Sequence, residues 1–112
     1  MPATAENQFR IRSTELRFLA VEVVDSLQGS LIVGTPTLLS SLPSGLTVTD
    51  IGRLSSTKVV RGKTILADQA IVFTVTGGDG SGNGTLYTLV FSCTTSTGEI
   101  LNIENVQIYV KD

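Results

Sequence analysis

Apolar residues recur at every second position in short runs along this chain, and the runs are broken by Gly, Pro, Ser, Thr and Asn. That is the period of strands, not of helices. The last third carries it most clearly. Ile71, Phe73 and Val75 share one phase, Tyr87, Leu89, Phe91 and Cys93 repeat it, and Val106, Ile108 and Val110 supply a third run. TSTGE at 95–99 predicts a tight turn between the last two strands, with Gly98 at the positive-φ position. Nearer the N-terminus, Leu16, Phe18 and Ala20 alternate with Arg17, Glu22 and Asp25 and predict a first strand over Leu16–Val24. DSLQGS then turns the chain. LIVGTPTLL follows as a β-branched run that Pro36, having no N–H for a ladder, confines to a bulged edge. Pro43, Ser44 and Gly45 predict a turn before Leu46 and Val48 resume the alternation. Between Ile51 and Asp68 the pattern weakens: TKVVRG predicts a short strand, and KTILADQA suits a strand or a brief helical turn.

No stretch sustains a helical period with capping signals. The expected fold is therefore all-β, with about seven short strands in two packed antiparallel sheets of immunoglobulin-like architecture. The likeness is one of architecture alone, because the chain has no Trp and a single Cys. Residues 1–13 are polar, contain Pro2, and offer only Phe9 and Ile11 as apolar anchors. They predict an extended N-terminal arm, ordered against a partner, that precedes a sandwich domain over 14–112.

Composition narrows the classes of function. Charged residues make up 16% of the 112 positions, against about 25% in ordinary domains, and mean hydropathy is +0.29. Ser, Thr and Asn must therefore fill much of the surface, which suits burial against neighbours. A net charge of −2 provides no basic field for nucleic acid or anionic lipid, so neither is an expected partner. The N-terminal stretch lacks a hydrophobic signal core, and the most apolar run after it, FLAVEVV, is short and interrupted by Glu22. Neither a signal peptide nor a membrane span is expected.

The absence of histidine from the sequence removes the usual base near neutral pH, the commonest zinc ligand and every Ser-His-Asp or Cys-His arrangement. Asp25, Asp50, Asp68 and Asp79 fall at turns or strand ends, and no motif links them. The chain reads as a non-enzyme with no cofactor, metal or catalytic residue. RGKT at 61–64 fails as a phosphate loop because Thr57 stands where glycine is required. Lys58, Arg61 and Lys63 read instead as a charged strand edge that discourages unwanted pairing. GGDGSGNG at 77–84 is similar to one copy of a calcium-binding nonapeptide that works only as stacked repeats. It reads as a flexible connector whose tip, Asp79, Ser81 and Asn83, is free to meet a partner. Asn83-Gly84-Thr85 is a chance glycosylation sequon. Cys93, alternating with Phe91, reads as a small buried residue that reacts slowly with thiol reagents.

The order of segments RFLAVEVVDSLQGSLIV, LPSGLTVTD and QAIVFTVTGGDGSGNGTLYTLVFSCTTSTGEILNIENVQIYVKD resembles that of small immunoglobulin-like phage proteins, the fiber-tail adaptors. Pro43, Gly45, Leu46 and Val48, then Gly77, Gly78, Gly84 and Tyr87, then Thr94, Thr95 and Gly98 carry the resemblance over most of residues 16–112. GRLSSTKVVRGK is an insertion relative to the family spacing. The resemblance implies a virion structural protein, assembled in the host cytoplasm, that joins the tail or head-tail connector to fibers. It would be present as a homo-oligomeric ring or in multiple copies and would work by protein contacts. The arm (Phe9, Ile11) and the loop (Asp79, Ser81, Asn83) are the expected contact residues. Two other readings fit the same sandwich. A capsid decoration or cement protein would use the arm across capsid subunits, and a carbohydrate-binding module would need exposed aromatics. Aromatics are 5% of the chain, and only Phe9, Phe18 and Tyr109 stand outside the expected core for sugar stacking.

Overall fold

The computed structural model describes residues 8–60 and 62–112. In chain order the elements are β1 (Gln8–Ile11), β2 (Leu16–Glu22), the single turn α1 (Val24–Leu27), β3 (Ile32–Leu42), β4 (Leu46–Arg53), β5 (Lys58–Val60), β6 (Lys63–Ile65), β7 (Ala70–Gly77), β8 (Thr85–Thr95) and β9 (Ile100–Val110). Sheet one has the order β1-β9-β8-β3, sheet two the order β2-β7-β4, and β5 pairs with β6 as a separate hairpin. The two larger sheets pack face to face as a β-sandwich.

Alternation builds the core as expected in β7, β8 and β9. Ile71, Phe73 and Val75 meet Tyr87, Leu89, Phe91 and Cys93, with Val106, Ile108 and Val110 beside them, all buried. Phe73 and Phe91 join the two sheets directly, ring centroids 4.9 Å apart, a separation at which aromatic pairs attract beyond their area burial. A register shift in the β8–β9 ladder, from Leu89↔Val106 to Phe91↔Ile103, adds one residue to β9. Ile103 and Val106, three apart, therefore both point inward. β3 lies at a sheet edge and breaks register between Val33 and Thr37, the stretch that contains Pro36.

Three expectations need correction. The inward phase of β2 is Leu19 and Val21, not Leu16, Phe18 and Ala20; Leu16 is 56% and Phe18 79% exposed. Both phases of this strand are apolar, so alternation alone could not choose between them. The second correction concerns the arm. Residues 1–7 lie outside the described residues, but Gln8–Ile11 form β1 on the edge of β9, and Ile11 is 2% exposed in the sandwich core. The third follows from it: β1 runs parallel to β9, so that sheet is mixed and not antiparallel. Of the two forms that suited KTILADQA, a strand or a brief helical turn, Lys63–Ile65 takes the strand. With β1 and this hairpin, the strand count among the described residues is nine against the seven or so expected.

Candidate docking surface

The inserted segment shapes the outer face of sheet two. Leu54 and Ile65 descend onto Ala70, with Ala20 and Val72 packed alongside, and form a second small core on the side of the sheet away from the main one. Backbone bonds fix the base of the insertion: Leu54 N–H donates to Ala70 O at 3.0 Å, Asp68 N–H to Leu54 O at 2.8 Å, and Ile32 N–H to Asp68 O at 2.8 Å. Arg53 adds a bond to the Ile32 carbonyl at 3.3 Å and an ion pair to Asp68 at 3.4 Å. This is why β2 and β7 carry apolar residues on both faces.

The hairpin covers only the Ala70 end of the sheet. Beyond it an open groove of about 550 Å³ remains, floored by Ala20, Val72 and Thr74, walled by Leu54 and Ile65, and bordered by Phe18. Asp50, Arg53 and Lys58 stand on its rim. Asp50 has φ 53° at the register shift between Thr49 and Gly52, so a bulge in β4 aims this side chain. Phe18 is the most exposed large apolar side chain among the described residues. Of the six aromatics it is the exposed one: Phe73, Tyr87 and Phe91 are buried, and Phe9 and Tyr109 are half-buried.

The residues expected to make contacts lie elsewhere. Ile11 is in the core and Phe9 packs against it, so neither is presented outward as an arm anchor. Asp79, Ser81 and Asn83 sit in the β7–β8 loop, at the end of β7 opposite the hairpin. This loop is held by its own chain and is not a flexible tip. Tyr87 Oη accepts the Asp79 N–H at 2.8 Å, Asp112 N–H donates to Gly80 O at 3.0 Å, Lys111 Nζ donates to Gly82 O at 2.9 Å, and Tyr109 Oη donates to the Asn83 carbonyl. The N-terminal strand reaches the same place. Lys111 N–H donates to Ile11 O at 3.1 Å, and Ser13 gives Asp112 both its N–H and its hydroxyl, each at 2.8 Å to Oδ1. The structure thus gathers the two expected contact regions around the C-terminal end of β9, away from the groove. Lys58 is exposed on the β5 edge, as expected, and also stands on the groove rim, while Arg61 of the same expected trio lies outside the described residues.

Electrostatics tie the loop to pH. The Ser81 hydroxyl, then its N–H, holds the Asp79 carboxyl below its ordinary pKa. Ser13 does the same for Asp112, first through its hydroxyl and then its N–H; Arg12 adds to the lowering and the nearby Asp79 charge opposes it. A carboxyl whose folded pKa is lowered favours folding above its ordinary pKa, and that gain disappears as pH falls through the lowered value. Hydrogen-exchange protection at the Ser13 and Ser81 amides is therefore expected to be full above about pH 5 and to decline below about pH 4. Protection unchanged down to about pH 2 would show that these bonds do not hold the carboxylates.

Burial pushes the Cys93 thiol pKa up. Since the thiolate is the reactive form, native protein is expected to label with a thiol reagent only on unfolding; rapid labelling of the folded chain would contradict this packing. Among the described residues no group of three or more His, Cys, Asp or Glu is placed to hold a metal. Compared with known proteins, the chain matches no family model, no curated protein and no solved structure.

The alternation along the chain does not predict the groove, yet two signals in the sequence point to it. LRFLAVE is apolar in both phases, which implies a strand covered on both faces, and the inserted segment was long enough to supply the second cover.

Proposed function

We propose that this chain is a non-enzymatic virion structural protein that joins a tail or head-tail connector to fibers, and that it docks through the outer face of sheet two. The observation that carries a docking role is the groove itself: an apolar floor, an exposed Phe18 at its border and charged groups on its rim. Exposed aromatics beside an apolar depression are what anchors at protein interfaces look like. The strand arrangement supports an immunoglobulin-like sandwich. Sheet β2-β7-β4 faces β9-β8-β3, and the N-terminal strand joins the second sheet beside the last strand. The phage assignment rests on the resemblance over residues 16–112.

The test is a cryo-EM map of particles that contain the chain. Density for the sandwich is expected in a ring at the tail-fiber junction, with the Phe18 face against another polypeptide. Placement over the capsid lattice in hundreds of copies would replace this reading with a decoration or cement role. Absence from particles would end both.

A carbohydrate-binding reading has one observation in its favour, the exposure of Phe18 beside polar rim groups. A single phenyl ring makes a poor sugar platform, and Phe9 and Tyr109 are engaged in packing and in the Arg10 contact at 5.7 Å. A glycan array is expected to be silent, and binding lost on Phe18→Ala would favour the sugar reading instead.

A further inference from the structure

We infer that the occupant of the groove is a second copy of this chain, bound about a two-fold axis with each Phe18 entering the groove of the other copy. This rests on the docking role of the face but not on the virion assignment.

Arg53 on the rim is already paired with Asp68 at 3.4 Å. That leaves Asp50 and Lys58, one acid and one base, with no ion-pair partner among the described residues. Such a rim has no net sign, so a uniformly acidic or basic partner gains as much at one group as it loses at the other. A two-fold copy is different. An isologous contact brings residue i to residue j and j to i, so a single pairing, Asp50 with Lys58 of the other copy, occurs twice and answers all four charges.

Shape and sequence agree with this. The groove supplies about 550 Å³ lined by Ala20, Val72 and Leu54, with Phe18 on its own border. A two-fold axis through the groove therefore places the ring of one copy over the floor of the other and sets the two Phe18 rings side by side. Leu16, 56% exposed and two residues along the same face, extends the covered apolar strip. The neighbouring outer-face positions are the small side chains Thr47, Thr49, Thr74 and Thr76, which allow close approach of two sheets.

The test is sedimentation equilibrium of the full chain over about 1–500 µM, with circular dichroism to confirm that each variant remains folded. Wild type is expected to dimerise. Phe18→Ser, at an exposed position where folding is not at stake, is expected to weaken the dimer at least about 100-fold. Asp50→Lys and Lys58→Asp each set like charges against each other at two symmetric places and are expected to weaken it about 10-fold. The double variant is expected to restore affinity to near wild type, because it exchanges the two signs without changing the pairing. A wild-type monomer at the highest concentration, a Phe18→Ser dimer of undiminished affinity, or a double variant as weak as the singles would each overturn the inference. Particle entry separates it from the docking role. If wild type is monomeric and Phe18→Ser still abolishes entry, the face docks to a different protein. If Phe18→Ser breaks the dimer and leaves entry intact, self-association stands and docking into particles uses another face.

Discussion

Removal of residues 1–13 is expected to destabilise the domain by about 3 kcal/mol or more, enough to lower a urea midpoint by about 2 M. An extended arm would be dispensable for folding. β1 is not, for three reasons. Ile11 is 2% exposed, and deleting a buried isoleucine leaves a cavity between the sheets. Gln8–Ile11 pair with Gln107–Val110, so their loss uncovers a hydrogen-bonding edge on β9. Ser13 holds the carboxylate of Asp112, and Asp112 N–H in turn caps Gly80 of the glycine loop. Against a typical total stability of about 5–15 kcal/mol, such a loss leaves a marginal protein. Removing residues 1–7 alone leaves Gln8–Ile11 in place, so the difference between the two truncations isolates what residues 8–13 contribute. If the longer truncation unfolds at the wild-type midpoint, β1 contributes nothing and the arm reading returns. The comparison also qualifies any assembly experiment, because a 1–13 deletion that fails to enter particles reports instability before it reports a lost contact.

Gly84→Ala is the second large effect, expected to cost about 3 kcal/mol and lower the thermal midpoint by about 10 °C. Two separate penalties meet at this position. Gly84 has φ 82°, a conformation that L side chains rarely adopt and one that costs roughly 1–2 kcal/mol for alanine. A Cβ there would also lie 2.6 Å from the Val110 carbonyl oxygen and 3.0 Å from Tyr109 Cε1. The first of these is backbone at the last rung of β9, paired with Thr85 on one side and Ile11 on the other, and cannot rotate away. Gly82→Ala is the control. It shares the positive φ, at 59°, but nothing lies within 4 Å of its Cβ, so about 1 kcal/mol is expected. Equal losses at Gly82 and Gly84 would mean that backbone conformation alone accounts for both, and that the loop does not press on β9.

The glycine run illustrates where local reading succeeds and where it stops. Its composition correctly marked a connection between two strands, because Gly78, Gly82 and Gly84 take positive φ and break strand geometry beyond Gly77. The cause of the glycines is nonlocal. Gly78 would drive a Cβ to 2.9 Å from Val110 Cγ2, and Gly80 to 2.6 Å from Asp112 Cγ. They leave room for a strand end some thirty residues away in sequence, so a run that reads as freedom is in the fold a tight contact. The β2 segment repeats the lesson. Leu16, Phe18 and Ala20 compete with Leu19 and Val21 for the core, and the hairpin decides the matter by covering Ala20 from outside.

Local pattern suffices for the all-β class, the strands β7, β8 and β9 with their inward phase, the turns at 43–45 and 95–99, and the bulged edge at Pro36. Each of these follows from the two-residue period or from a backbone restriction of Gly or Pro, which act within a few residues. Long-range packing is needed to place Ile11 in the core, to clasp the glycine loop against β9, and to let an inserted hairpin turn the outer face of sheet two into a groove bordered by Phe18. Those outcomes depend on which distant segments cover a given face. Where a strand is apolar on both sides, burial is settled by what packs there and not by the strand's own pattern.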